Sequence, residues 1–196
     1  MSHAVCWGAL NQNERKEWLG ERLDTWSSLF DIQEFRFEEV MRAAVAAAEG
    51  NAGADEIVFQ ADLAGAINLT SGQMAITQDL TITGNGQEQS IIDAGQNSRH
   101  FLVAGSGVDL TLAGLTLRNG RTTGDADDGG SIRFNGFSGA TLTILNSTLR
   151  NNSTTGSTAD GGAIHMSFSS SRLTVANSTL SGNFTTGTSS AQGGRS

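Results

Sequence analysis

SIRFNGFSGATLTILNSTLRNNSTTGSTADGG, residues 131–162, runs straight into AIHMSFSSSRLTVANSTLSGNFTTGTSSAQGG, residues 163–194. Gly-Gly pairs at 129–130, 161–162 and 193–194 mark off the two copies, 32 residues apart each time. Self-similarity at a fixed period of this size means stacked copies of one supersecondary unit. A single copy cannot bury its apolar face, whereas a stack makes one continuous core.

Working outward, the trio Leu142-Thr-Ile144 has counterparts in Leu80-Thr-Ile82, Leu110-Thr-Leu112 and Leu173-Thr-Val175, spaced by 30, 32 and 31 residues. Strand alternation sends the outer two residues of each trio inward and the middle Thr outward. Seven residues after each later leading Leu stands another, at 117, 149 and 180. Before each of those later trios lies a third apolar pair: Phe101/Val103, Ile132/Phe134 and Ile164/Met166. Three short strands per turn with interior columns of like residues predict an all-β solenoid, a parallel β-helix of about four coils of 30–32 residues. An antiparallel sandwich of hairpins would need two-residue turns and would have no reason to keep this register. Gly84, Gly114, Asn146 and Asn177 align at one corner; Gly120, Asn152 and Asn183 align at a second. Gly and Asn tolerate left-handed backbone there, and stacked Asn side chains can bond from coil to coil.

Residues 1–50 read differently. They hold all three Trp and the lone Cys6. Residues 1–35 form a poorly defined helical segment in which Trp18, Leu19, Leu23 and Trp26 suit one face. Residues 36–54 read as a capping helix and turn, and residues 55–196 as the β-helix. A formal net charge of −8 argues against nucleic acid, which wants a basic footprint. Cys6 has no partner for a disulfide or a Cys metal cage. No apolar run is long enough to span a bilayer as a helix, and no signal peptide is visible at the start.

The segments Gly161-Gly-Ala-Ile164, Asn146–Asn152 and Asn177–Asn183 resemble repeats of bacterial right-handed parallel β-helix surface proteins, including polymorphic outer-membrane-protein passengers and large repetitive secreted proteins. Met41-Arg-Ala-Ala-Val45 and Asn51-Ala-Gly-Ala-Asp-Glu-Ile-Val-Phe59 are similar to the Ser-Leu-Arg-x-Ala-Ile helix and Asn-Pro-Gly-Ala-Asp-Thr-Ile-x-Phe strand that open many of them. Val40 and Met41 replace Ser-Leu, and Ala52 replaces Pro. The resemblance spans residues 36–194 and implies a right-handed coil, an extracellular or cell-surface location, and a structural or adhesive role toward a host or cell-surface glycan or protein. It carries no catalytic residues. The stop at Gln192–Ser196, where another coil is due, is what a fragment of a longer protein would show, and an open last coil would pair with further coils or another chain.

The segments after the second corner, 121–130, 153–162 and 184–194, read as long loops. Asp125, Asp127, Asp128 and Asp160 cluster there on Gly-rich sequence, a donor set that suits Ca²⁺, although no calcium-loop motif is met. Solvated acidic turns are the simpler reading. The candidate binding surface comprises Arg121, Asp125, Asp128, Arg133, Asp160 and His165. His100 and His165 read as surface histidines without a carboxylate partner, so no zinc site is expected. Asp93 and Arg118 align outward as a cross-coil ion pair of little worth at the surface. The alternative to an adhesive module is the N-terminal part of a carbohydrate-active β-helix enzyme, a polysaccharide lyase or glycoside hydrolase. Asp127-Asp128 matches a galacturonase-type pair only superficially, and lies on what reads as a mobile loop. The outward Thr column is one residue wide, too narrow for an ice-binding array.

Overall fold

A computed structural model describes residues 2–5, 32–50, 53–61 and 65–186. Strand β1 (Ser2–Val5) and helix α1 (Ile32–Glu49) precede the coils. The chain then lays down β2 (Asp55–Val58) and β3 (Ala66–Asn68), followed by β4 (Met74–Ile76), β5 (Leu80–Thr83) and β6 (Ile91–Asp93). The next coil holds β7 (Phe101–Ser106), β8 (Asp109–Ala113), β9 (Thr116–Arg118) and β10 (Arg121–Thr122). It is repeated by β11 (Ile132–Phe137), β12 (Thr141–Leu145), β13 (Thr148–Arg150) and β14 (Ser153–Thr154). The last described coil holds β15 (Ile164–Met166), β16 (Arg172–Ala176), β17 (Thr179–Ser181) and β18 (Phe184–Thr185).

Four parallel sheets run along the stack: β1-β2-β5-β8-β12-β16, β4-β7-β11-β15, β3-β6-β9-β13-β17 and β10-β14-β18. This is the right-handed parallel β-helix of about four turns expected, the coils from the repeat and the hand from the resemblance. The register is as read from the sequence, Leu80 on Leu110 on Leu142 on Leu173, with Thr81, Thr111, Thr143 and Thr174 in column beside them. Leu110, Leu112, Leu142, Ile144, Phe101, Phe134 and Leu149 are buried, each contributing roughly 1.5–3 kcal/mol. In the last described coil, Leu173 and Val175 remain 42% and 41% exposed.

Two expectations need correction. The first residues of each presumed loop form a fourth sheet, in which Arg121 pairs with Ser153 and Ser153 with Phe184. Residues 2–5 of the N-terminal segment are strand, adding an edge to the first sheet through Ser2–Asp55 pairing. The helix expected from Trp18 to Trp26, and Cys6, lie outside the described residues.

The corners also differ in detail. Gly114, Asn146 and Asn177 take the left-handed backbone expected, with φ of 64°, 48° and 51°; Gly84 does not, and is glycine because a Cβ there would lie 2.5 Å from the Gly114 carbonyl oxygen. At the second corner the left-handed residues are Asn119, Asn151 and Gly182, one position before those aligned from the sequence. Asn152 and Asn183 are instead buried. The Asn152 Oδ1 accepts from the Gly120 amide at 2.7 Å, and the Asn183 Oδ1 accepts from the Asn152 amide and side chain at 3.0 Å each. Asn152 Nδ2 also reaches the Leu117 carbonyl, and Asn183 Nδ2 the Leu149 carbonyl. This asparagine ladder ties the coils along their inner corner.

The Gly-Gly pairs that punctuate the sequence have a steric cause. Gly129 and Gly161 are left-handed, with φ of 72° and 71°. A Cβ on Gly130 would lie 2.2 Å from the Gly162 carbonyl oxygen, so the backbones of successive coils pass too closely for any side chain.

Helix α1 lays Met41, Ala44, Val45 and Ala48, an i, i+3, i+4, i+7 stripe, onto the first coil. Glu38, only 3% exposed, fixes it there. Its carboxylate accepts from the Thr70 amide and hydroxyl, the Ser71 amide and Arg42, whose guanidinium also reaches the Gly72 and Gln73 carbonyls. Burial alone would raise this carboxyl, but the hydrogen bonds outweigh it and hold it at about 2.

Gly130→Ala is expected to destabilise the chain by roughly 1–3 kcal/mol, the usual cost of overpacking. Denaturant unfolding followed by circular dichroism checks this, and an unchanged midpoint contradicts the close-approach account. Because the Glu38 carboxyl is depressed in the fold, its stabilisation is complete above the unfolded value of 4.5 and is lost as pH falls toward about 2. Glu38→Gln should remove on the order of 2–3 kcal/mol at neutral pH and flatten that part of the acid profile. Unfolding midpoints measured from pH 7 to 2 test it.

Candidate functional site

The strands and glycine pairs set the site on the outer edge of the stack. In β11 Arg133 points outward between the inward Ile132 and Phe134, and in β15 His165 stands in register with it. The glycine pairs carry the ladder onward, with the Gly129 amide bonded to the Asp160 carbonyl and Gly130 to Gly161. That places Asp128 beneath Asp160, whose amide donates to the Asp128 Oδ1 at 2.8 Å. The other oxygen of Asp128 lies 3.6 Å from the His165 Nδ1 and 3.7 Å from an Arg133 guanidinium nitrogen. Asp128, Asp160 and His165 each offer one ligand atom, all within 4.8 Å of one another, and all three residues are half-buried. His165 therefore has the carboxylate partners that the sequence reading denied it.

The remaining candidates go elsewhere. Asp125 is exposed at the loop tip and accepts from the Ser157 amide and hydroxyl one coil on, which holds its carboxyl below the usual range. Asp127 pairs with the nearly buried Arg99 of the preceding coil. Arg99 also donates to the Gln73 side chain at 2.7 Å and the Gly129 carbonyl at 3.2 Å. Arg121 reaches the Gln96 side chain at 3.5 Å. The four carboxylates read as a Ca²⁺ set thus divide, and only Asp128 and Asp160 share a group. The segment 121–130 does not stand free of the stack. It is stacked on 153–162 and pinned beneath by Arg99.

Asp93 and Arg118 do form the expected cross-coil pair, at 2.6 Å, but not at an open surface. Asp93 is buried and also accepts from the Gly95 amide and the Asn119 side chain. Burial pushes its carboxyl up, and these donors bring it below the ordinary value. Full use of its oxygens makes Asp93 a structural joint. Glu56 and Thr83 make a smaller cross-coil bond, the Thr83 hydroxyl donating at 3.2 Å.

His100 overturns its reading as a surface histidine. It is 0% exposed, inside the solenoid, in the column continued by Ser131 and Ala163. Because the Ile92 carbonyl can only accept, the His100 Nε2 donates to it at 3.1 Å, and the Nδ1 then accepts the Ser131 hydroxyl at 3.0 Å. The sequence did carry a signal. Where later coils have Gly-Gly-Ser and Gly-Gly-Ala, this one has Ser98-Arg99-His100, and that break in the repeat supplies both the pinning arginine and the interior histidine.

No family model, curated protein or solved structure matches the chain. Among the described residues no helix is long and apolar enough to cross a membrane. The site's chemistry rests on its own residues: a mixed nitrogen and oxygen donor group with a guanidinium beside it.

Burial lowers His100 from 6.5 to about 4, against the opposing pull of the Ile92 carbonyl and the Asp93 carboxylate. The folded ring therefore stays neutral where the unfolded one takes a proton. Stability is full above 6.5 and declines as pH falls from there toward 4. The decline attributable to this ring should be on the order of 2–3 kcal/mol. His100→Gln should flatten stability between pH 7 and 5, measured by denaturant unfolding; an unaltered slope in that variant contradicts the assignment.

Proposed function

We propose that this chain is a structural and adhesive β-helix module of a secreted or cell-surface bacterial repeat protein, presenting its long-segment edge to a glycan or protein. The observation that carries this reading is where its outward carboxylates are engaged. Asp93, Asp125, Asp127 and Asp128 each bond a neighbouring coil, which favours a rigid, load-bearing surface over a cleft built around a scissile bond. The exposed Thr123, Gly124, Asp125 and Thr158 stand on that rigid edge as the contact surface. Repeat solenoids present extended surfaces of this kind. The likeness of the Gly-Gly-Ala-Ile and Asn-Ser-Thr-Leu segments to surface-protein repeats supports the cellular setting.

A second reading, a carbohydrate-active enzyme segment, draws on one observation. Asp128 and Asp160 approach as closely as the paired carboxylates of a retaining glycosidase, which stand roughly 5–5.5 Å apart. Against it, one Asp128 oxygen already accepts the Asp160 amide.

Glycan-array and cell-surface binding, run beside assays for reducing and unsaturated sugar release, separates the two. Saturable binding without product, weakened by Asp125→Ala, is the expected outcome. Product release lost in Asp160→Asn establishes the second reading, and neither binding nor release sinks the adhesive one.

A further inference from the structure

We infer that Asp128, Asp160 and His165 form a divalent transition-metal site of the Zn²⁺ class, built across two coils. A site for Ca²⁺ is made of oxygens alone, and the group the fold assembles here includes an imidazole nitrogen. One imidazole with two carboxylates suits the borderline dications, for which nitrogen ligation adds affinity that Ca²⁺ does not gain.

The Asp128 Oδ2 stands 3.6 Å from the His165 Nδ1 and 3.7 Å from the Arg133 nitrogen. Both exceed the length of a charge-assisted hydrogen bond, about 2.7–2.9 Å. Ligand atoms held about 2.0–2.1 Å from a tetrahedral zinc stand on the order of 3.3 Å from each other. The oxygen and nitrogen already lie near that spacing, and an Asp160 carboxylate oxygen within 4.8 Å of both supplies the third donor.

The Ser167 hydroxyl donates to the Asn135 side chain, so the His165 Nδ1, 3.4 Å from Ser167 Oγ, can meet that oxygen only as a donor; ligation through Nδ1 takes the tautomer that carries its proton on Nε2. Asp128 uses its Oδ1 for the Asp160 amide, which orients the carboxylate and leaves Oδ2 directed at the group. The backbone around it is fixed by the Gly129 and Gly130 ladder bonds, so the ligands sit on a rigid frame. Arg133 is the competitor. Its positive charge partly neutralises the pair and must swing outward when a dication enters. A bound metal would have three protein ligands and open positions facing out from the edge, where a donor from another molecule could join.

The test is competition between the full chain, free of any affinity tag, and a chromophoric Zn²⁺ chelator at neutral pH. A single equivalent is expected, unaffected by Ca²⁺ at about millimolar concentration. His165→Ala and Asp160→Ala should each weaken it by more than the roughly tenfold that loss of a supporting residue costs. Arg133→Ala should tighten it. The Co²⁺ form should lack a sulfur charge-transfer band, which separates this site from Cys6. Circular dichroism confirms the fold of each variant, and His165→Gln replaces His165→Ala if the latter unfolds. Equal Zn²⁺ binding by wild type and His165 variants, no binding at all, a sulfur band, or displacement by Ca²⁺ each overturns the assignment.

Discussion

The structure depends on one constraint: every strand meets its hydrogen-bonding needs on a different coil. Parallel pairing holds β8 between β5 on one side and β12 on the other. No coil can shift along its neighbour without moving its inward Leu pair off the column and its outward Thr into the core. Register, core and corner are therefore a single requirement. The glycine pairs and the asparagine ladder follow from it, because backbones stacked at strand spacing leave little room at the turns and bury polar groups that then need partners.

That requirement explains what the sequence made legible. Period-2 trios such as Leu110-Thr-Leu112 are a direct imprint of alternation, and their 30–32 residue spacing is the circumference of a coil. Such patterns survive inspection because each position must repeat for the stack to close. The helix of the cap was legible by a different signal, the strong helix formers of residues 36–49 followed by Asn51 and Gly53.

What was hidden is what does not repeat. Arg99 pins Asp127 from one coil below, and nothing local to either residue announces the other. His165 looks isolated because its carboxylates arrive from a segment whose stacking depends on glycines, not on an apolar pattern. The fourth sheet escaped because two-residue strands are too short to show alternation. Burial of His100 could be inferred only by noticing that its column is occupied by Ser131 and Ala163 later on. Departures from a repeat locate individual chemistry, while adherence to it locates architecture.

The asparagine ladder has a consequence for heredity. Asn152 offers the coil below the same oxygen that Asn183 offers to Asn152, so these two successive corner joints are alike. A tandem copy of the coil at residues 131–162 would keep these corner joints, whereas gain or loss of a single strand residue turns a column inside out. Length can therefore change by whole coils at the repeating end, while Arg99 on Asp127 and Asp93 on Arg118 bind the earlier coils to their own neighbours.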